Sequence, residues 1–301
     1  MNKIKFTGGI TMSLQSILFN FGAARSDKKR DSAIALPAGV TECRNISYGP
    51  YGKDNLLDVY YPAGTEESLP TIVSIHGGGY VYGSKEIYRR FGMDMARRGF
   101  AFVNFNYRLA PKYKFPTPLA ETNAVLEWVS KNHRRYHLDP DRIILIGDSA
   151  GAQLASHYAA IFTNPQFARH FDLMLPPIKI RALGLYCGLY DTVEQASGPR
   201  KGLSLDYLGK EIRSTDPRLQ VLSSITSSYP PAFICTAHHD FLRDKAQPMC
   251  DHLTSLGIDA VCRCYGSEEA VHVGHVFHVN IILPEAVQCN DDAAAFYRKY
   301  V

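Results

Sequence analysis

Short apolar runs alternate along the chain with longer stretches whose apolar residues recur at helical spacing. The run Ile143 to Ile146 is uninterrupted, as expected for a parallel strand that is buried on both faces. Ahead of this alternation, Cys43 to Tyr48 and Asn55 to Tyr61 are typical of an opening hairpin with Gly and Pro in its turn. The alternation predicts strands near 71–76, 101–106, 142–147, 181–187, 232–236 and 259–264, and helices near 86–98, 118–134, 150–163, 242–256 and 288–300. That order predicts an α/β fold with a mostly parallel central sheet and helices on both faces.

The apolar run ends in the pentapeptide Gly-Asp-Ser-Ala-Gly, residues 147–151, which leads directly into a helix-forming stretch. A serine on such a strand-to-helix turn is held clear of the backbone, and the flanking Gly147 and Gly151 leave room for the tight turn. The pattern G-x-S-x-G alone also describes an ordinary Gly-rich turn. Its position between a buried strand and a helix makes Ser149 the predicted nucleophile.

A second Gly-rich segment, His76 to Gly79, follows the strand predicted near 71–76. Acyl transfer places negative charge on the carbonyl oxygen, and the exposed N–H groups of a Gly-rich loop can stabilise that charge. We expect Gly78, Gly79 and Ala150 to donate these N–H groups, with His76 supporting the loop instead of acting as a base. A flexible loop or a phosphate cradle are the competing interpretations, but the chain lacks G-x-G-x-x-G and a correctly spaced Walker lysine here.

A nucleophilic serine needs an orienting acid, which follows the serine in hydrolases that carry this turn. Asp240 comes directly after the strand predicted near 232–236, at the sheet edge where parallel folds place functional groups. Asp244 is the local alternative, but it lies near the start of the next helix, where a carboxylate favours the helix dipole. Asp240 is therefore the predicted acid.

Three histidines, His272, His275 and His278, compete for the role of general base. Gly274 precedes His275 and frees the loop backbone, while the apolar residues after it can anchor the loop, so His275 is the predicted base. The other two are interpreted as surface or packing histidines. A metal cluster with Glu268 or Glu269 matches no zinc spacing, and we expect no metal.

A third signature, Tyr107 to Pro111 followed by Phe115-Pro116, joins the two Gly-rich motifs. With all three, the chain resembles the bacterial branch of the hormone-sensitive lipase family of α/β hydrolases from about residue 55 to its C-terminus. Its Asp-x-Leu and His-x-Phe patterns coincide with Asp240 and His275. The chain departs from the family in having Lys112 in place of a usual Glu, and Val276 in place of the Gly of His-Gly-Phe.

The resemblance implies the α/β-hydrolase fold and a serine carboxylesterase that cleaves short-chain acyl esters through an acyl-enzyme, without a metal or organic cofactor. Esters of sugars or of ferulic acid, and amide or peptide bonds, are alternative substrates for the same three side chains. From a different class, a non-catalytic ligand-binding protein can keep this fold and its pocket. The intact set of Ser149, Asp240 and His275 argues against that last reading.

Two segments, 1–40 and about 192–228, fall outside the alternation, and the resemblance implies that they form a small helical lid on a catalytic domain spanning 41–301. We expect Tyr80, Tyr186 and Phe241 to line the substrate site, although ordinary packing explains them equally well. Met12 is an alternative start, which would make residues 1–11 an extension.

Composition narrows the class of protein further. The chain has 301 residues, 46% hydrophobic and 21% charged, with a net charge of +4 and seven cysteines. The small charge and the short basic run Lys28 to Arg30 exclude nucleic acid as an expected partner. No segment is apolar enough for a membrane span, and the apolar character near residues 10–24 is too broken for an export signal. We expect a cytoplasmic enzyme with a small acyl ester as its partner; a homodimer is allowed but not indicated.

Overall fold

An eight-stranded sheet forms the centre of the computed structural model, which describes residues 12–197 and 201–301. Expectations about residues 1–11, including the alternative start, therefore lie outside the described residues. The strands are β1 (Val40–Ser47), β2 (Leu56–Pro62), β3 (Leu69–Ile75), β4 (Ala101–Phe105), β5 (Leu138–Asp148), β6 (Ile180–Tyr186), β7 (Ala232–Ala237) and β8 (Ala260–Tyr265).

The strands are ordered β1-β2-β4-β3-β5-β6-β7-β8 across the sheet. The first two pairings, β1 with β2 and β2 with β4, are antiparallel, and every later pairing is parallel. The opening hairpin and the mostly parallel sheet are thus as predicted. Because β5 lies at the centre of the parallel part, its carboxyl end faces the loops that follow β3, β6 and β7, which is where such sheets place ligands.

Ten α-helices are described, of which five were predicted. They are α1 (Leu14–Ser32), α2 (Arg89–Arg97), α3 (Thr117–Asn132), α4 (Ala150–Thr163), α5 (Pro165–Ala168), α6 (Thr192–Ala196), α7 (Gly202–Leu208), α8 (Val221–Ser224), α9 (Ala246–Ser255) and α10 (Pro284–Tyr297). The last helix begins four residues before the predicted 288 because Pro284 occupies its first turn, where a missing N–H costs nothing. None of the helices among the described residues is long and apolar enough to cross a bilayer.

Two apolar cores cover the two faces of the sheet. Side chains alternate between them along each strand, so Leu145 and Leu185 lie in one core while Ile146 and Tyr186 lie in the other. Helices α3, α4 and α9 complete the first core, and α2 and α10 complete the second. The predicted α/β fold class, with helices on both faces, is confirmed.

Helix α1 is the element that the apolar pattern least indicates. Ser16 is its one buried residue, whereas Leu14, Leu18 and Phe21 are exposed. Its start is fixed by Ser13, whose hydroxyl oxygen accepts the Ser16 N–H at 3.2 Å. A polar cap and long-range contacts hold this helix, so its position could not be derived from hydrophobic periodicity.

Candidate active site

Ser149 lies on a strained turn between β5 and α4. Its backbone adopts φ 53° and ψ −117°, a combination that side-chain-bearing residues rarely occupy. A Cβ at Gly147 would come within 2.2 Å of the Gly151 carbonyl oxygen, and a Cβ at Gly151 within 2.0 Å of the Ile75 oxygen. The two glycines are therefore a steric requirement of the turn. The Ser149 N–H donates to the Tyr186 carbonyl oxygen at 2.9 Å, which ties the turn to β6.

The structure brings the three residues selected from the sequence into one hydrogen-bonded chain. The Ser149 Oγ lies 2.9 Å from His275 Nε2, and His275 Nδ1 lies 2.7 Å from Asp240 Oδ1. Ser149 follows the carboxyl end of β5, and Asp240 lies just after the carboxyl end of β7. His275 lies in the loop between β8 and α10. An imidazole in this position can accept the serine proton through Nε2 while donating through Nδ1.

The carboxylate of Asp240 is held by three further constraints. Its side chain is fully buried, the Leu242 N–H donates to Oδ1 at 2.9 Å, and the Thr236 hydroxyl donates to Oδ2 at 2.8 Å. Burial raises the pKa of Asp240, but the hydrogen bond and charge of His275, together with the Leu242 and Thr236 donors, outweigh it and lower the pKa below its usual value. Asp240 is thus an anion at neutral pH.

The competing candidates lie elsewhere. The Asp244 side chain is 91% exposed and faces Arg243. His272 is exposed, with its Nε2 3.9 Å from a Glu285 oxygen. His278 is buried and stacks on the Tyr186 ring at 4.3 Å, and burial lowers its pKa to about 3. Neither of the other histidines is hydrogen-bonded to Ser149.

The loop after β3 presents unused donors beside the serine. Gly78 has φ 105° and Gly79 φ 57°, and a Cβ on Gly78 would lie 2.2 Å from the Tyr82 carbonyl oxygen. Among the described residues, no acceptor receives the N–H of Gly78, Gly79 or Ala150. All three residues border cavities that also contain Ser149. Free N–H groups at this position can hold a developing oxyanion.

A buried network supports this loop from below, and sequence reasoning identified only part of it. His76 stacks on the Tyr107 ring at 4.1 Å and donates from Nδ1 to the Gly77 oxygen, and burial lowers its pKa to about 4. The Tyr88 hydroxyl accepts the Gly77 N–H and donates to Asp148 Oδ2 at 2.8 Å. Burial raises the pKa of Asp148 to about 7. Asp148 belongs to the Gly-Asp-Ser-Ala-Gly pentapeptide, residues 147–151. Its place beside Ser149 was the sequence signal that could have identified it as part of this network.

A family model described as the alpha/beta hydrolase fold matches residues 72–278, more than half of the chain. The chain belongs to this family. The match begins in β3, contains Ser149, Asp240 and His275, and ends three residues after His275. The resemblance inferred from the three sequence motifs is thereby confirmed.

Individual proteins are similar to this alpha/beta hydrolase over most of its length. A putative alpha/beta hydrolase of Acanthamoeba polyphaga mimivirus is 26% identical over 79% of this chain and 68% of its own length. Carboxylesterase NlhH of Mycobacterium tuberculosis is 28% identical over 88% of this chain and 84% of its own. The solved structure of esterase B from Lactobacillus rhamnosis superposes with a TM-score of 0.86, at 23% identity and 94% coverage of both chains. At this level of identity, the similarity to esterase B shows only that the two proteins share a fold.

Two cavities flank the serine of this alpha/beta hydrolase. One, of about 160 Å³, is lined mainly by apolar side chains, including Leu203, Tyr80 and Phe241. The other, of about 330 Å³, carries polar side chains contributed by α1 and by the His275 loop. The Phe241 ring lies 4.1 Å from the His275 ring and is 75% exposed, which places it at the mouth of the smaller cavity.

The expectation that Tyr186 lines the substrate site is wrong. Its side chain is completely buried in the second core, and its hydroxyl is hydrogen-bonded to that of Tyr297 at 2.7 Å. The reason is the alternation along β6, which sends Leu185 and Tyr186 to opposite faces of the sheet. Tyr186 contributes only its backbone oxygen, which holds the Ser149 N–H.

One group of three potential metal ligands occurs among the described residues. The Cys187 Sγ, an Asp240 oxygen and a His275 ring nitrogen lie within 4.8 Å of one another. Burial raises the pKa of the Cys187 thiol, which keeps it protonated and a poor ligand. A metal here would displace the hydrogen bond between His275 and Asp240, so this geometry does not support a resident ion.

Proposed function

We propose that this chain is a serine carboxylesterase that hydrolyses short-chain acyl esters through a Ser149–His275–Asp240 triad. The observation that carries the proposal is the hydrogen-bonded chain from Ser149 Oγ through His275 to Asp240, adjoining N–H groups that have no described acceptor. Ester hydrolysis is further supported by membership of the alpha/beta hydrolase family and by the name of one relative, carboxylesterase NlhH.

In the proposed acylation step, His275 Nε2 takes the proton from Ser149 Oγ as this oxygen attacks the ester carbonyl carbon. The negative charge on the carbonyl oxygen is held by the N–H groups of Gly78, Gly79 and Ala150. The imidazolium then gives its proton to the leaving alcohol oxygen as the carbon–oxygen bond breaks. Because Asp240 is an anion, it stabilises the imidazolium and keeps the Nδ1–H tautomer.

Deacylation repeats these roles with water. His275 removes a proton from a water molecule, the resulting hydroxide attacks the acyl carbon, and the proton returns to Ser149 Oγ as the acid leaves. The cycle restores every group on the protein to its starting state. It needs no cofactor, because base, acid and oxyanion donors are all supplied by the chain.

The acyl preference is inferred from the smaller cavity. Its volume is about 160 Å³, about half the volume of the other cavity beside Ser149. A Cβ on Gly79 would come within 2.8 Å of Leu203, so this side chain closes the cavity just beyond the oxyanion loop. We assign this cavity to the acyl chain, with Tyr80 and Phe241 as further lining residues.

The two segments expected to form a lid meet over the site, which supports that role. The Ser13 N–H and hydroxyl both donate to Asp206 Oδ2, at 3.0 and 2.8 Å, and so join the start of α1 to α7. Phe19 of α1 lines both cavities, and Leu203 of α7 lines the smaller one. We propose that the described parts of segments 1–40 and 192–228 act as this lid.

The test is hydrolysis of p-nitrophenyl esters from acetate to decanoate by the wild type, Ser149→Ala and a matched control, Ser255→Ala. Ser255 is exposed, lies outside both lid segments and donates its hydroxyl only to the His252 oxygen of its own helix. We expect the wild type and the control to hydrolyse acetate and butyrate faster than decanoate, and Ser149→Ala to form no acyl-enzyme. Substantial activity of folded Ser149→Ala would refute the nucleophile, and faster decanoate turnover would refute the chain-length assignment.

A further inference from the structure

The larger cavity beside Ser149 has a polar wall that the proposed chemistry does not use. We name it the Asp27 cavity, after a residue of α1 that lines it together with Arg30, Tyr82, Asn280 and Ser149. Its volume is about 330 Å³, at the lower end of the range of about 300–1,000 Å³ for small-molecule sites. It is therefore large enough for a small polar molecule and is continuous with the reacting oxygen.

Asp27 is held rigidly but keeps acceptor capacity. Arg30 Nη1 donates to Asp27 Oδ1 at 2.8 Å, and the Tyr82 hydroxyl donates to Oδ2 at 2.9 Å. A carboxylate offers about four lone-pair positions, so two remain free for a ligand. The Tyr82 oxygen is also free to accept, because its proton is already directed to Asp27.

On another wall of the same cavity, Asn280 supplies a second unused acceptor. Its Oδ1 is buried and has no hydrogen-bond donor among the described residues. A buried oxygen without a donor is unfavourable and calls for an explanation. Asn280 lies in the same loop as His275, and both residues line this cavity.

The Asp27 cavity offers several hydrogen-bond acceptors, but the negative charge of its carboxylate is balanced by a neighbouring cation. The Arg30 guanidinium offsets the Asp27 charge, and it also donates from Nε to Asp31 and from Nη2 to the Ile87 carbonyl oxygen. Such a wall favours neutral groups that donate hydrogen bonds over cations, which would have to compete with Arg30, and over anions, which would meet Asp27. Hydroxyl groups fit this description.

We propose that the Asp27 cavity binds the alcohol part of the ester and that this alcohol carries several hydroxyl groups, as glycerol or a monosaccharide does. This inference rests on the proposed esterase function and adds its substrate class. Asp27, Tyr82 and Asn280 would accept hydroxyl protons, while the apolar cavity on the other side of Ser149 holds the acyl chain. The residues act by selecting the alcohol and not by touching the scissile bond.

The experiment compares two acetates that differ only in hydroxyl groups, monoacetylglycerol and propyl acetate, with kcat/KM measured by pH-stat. The variants are Asp27→Asn, which is nearly isosteric, and Asn280→Leu, which replaces the unsatisfied oxygen with an apolar group. Asp139→Asn is the matched control. Asp139 pairs with Arg142 three residues along the chain, as Asp27 does with Arg30, and its side chain is 20% exposed against 23% for Asp27, but it lies outside the lid segments and lines neither cavity.

We expect the wild type to prefer monoacetylglycerol, and each cavity variant to lower the ratio of the two kcat/KM values by ~10-fold or more. Asp139→Asn should leave the ratio unchanged. A wild type that hydrolyses p-nitrophenyl acetate but shows no preference for monoacetylglycerol would overturn this inference and leave the esterase proposal standing. Faster hydrolysis of acetylcholine than of monoacetylglycerol would overturn it in favour of a cationic alcohol. Failure on every ester would instead refute the proposed function.

Discussion

Asp240 is expected to supply both orientation and charge to His275, and the variant Asp240→Asn separates the two. Leu242 donates its N–H to Oδ1, the same oxygen that accepts from His275, whereas Thr236 donates its hydroxyl to Oδ2. A backbone N–H can only donate, so the amide oxygen of the variant must keep the Oδ1 position. Its NH₂ group then faces Thr236, whose hydroxyl can accept instead. His275 keeps its tautomer, and only the negative charge is lost.

The size of that loss follows from the ion pair formed in the transition state. An imidazolium and a carboxylate about 4 Å apart attract each other by about 4 kcal/mol at an effective dielectric constant of about 20. At about 1.4 kcal/mol per factor of ten, removal of the charge lowers kcat/KM by ~1,000-fold. Loss of the correct tautomer would cost more, about 10,000-fold. Adding Thr236→Val removes the acceptor for the NH₂ group and should move the loss towards that larger value.

The assay is kcat/KM for p-nitrophenyl acetate, with thermal unfolding followed by circular dichroism to establish that each variant is folded. Asp244→Asn is the control, because that carboxylate is 91% exposed and was the alternative acid in the sequence. It should retain wild-type activity. A folded Asp240→Asn enzyme within tenfold of the wild type would refute this reasoning, as would an equal loss in Asp244→Asn.

Three further predictions concern the loop, the acyl cavity and the buried carboxyl. Gly78→Ala should lower kcat by ~100-fold or more, because the new Cβ would lie 2.2 Å from the Tyr82 oxygen and displace the oxyanion donors; wild-type kcat in a folded variant would contradict this. Leu203→Ala should raise the octanoate-to-butyrate ratio of kcat/KM about tenfold by opening the small cavity, and an unchanged ratio would place the acyl chain elsewhere. The pKa of Asp148 is about 7 in the folded protein against 3.8 as its ordinary value, so the folded state binds the extra proton and wild-type stability should fall as pH rises between these values. Asp148→Asn should flatten that dependence in urea unfolding measured at about pH 4.5 and about pH 8, and a dependence as steep as that of the wild type would contradict the assignment.

The motifs that carry Ser149, Asp240 and His275 could be predicted from the sequence because each depends on residues that are close together in the chain. The glycines around Ser149 are required by the tight turn between β5 and α4, and Asp240 was found because it follows a buried strand. His275 was selected by its neighbouring Gly274 and by the order of the three residues. In the structure Val276 adopts φ 59°, a conformation that suits glycine, which explains why this position of the family usually holds one.

Longer-range features could not be predicted in this way. Helix α1 is positioned by the bond between Ser13 and Asp206, which are far apart in the chain, and its apolar residues show little periodicity. The Asp27 cavity joins that helix to Asn280 near the other end of the chain. Tyr186 was misassigned even though the period-two rule for strands was available, because strand boundaries alone did not fix which face each residue occupies.

The most direct test of Ser149 as the nucleophile is to identify the residue that an organophosphonate ester modifies. The wild type and Ser149→Ala would each be treated with the reagent, digested and mapped by mass spectrometry while esterase activity is followed. We expect a single label, on Ser149, formed in step with complete loss of activity, and no label on the variant. Modification of a different residue, or esterase activity that survives full labelling of Ser149, would contradict it.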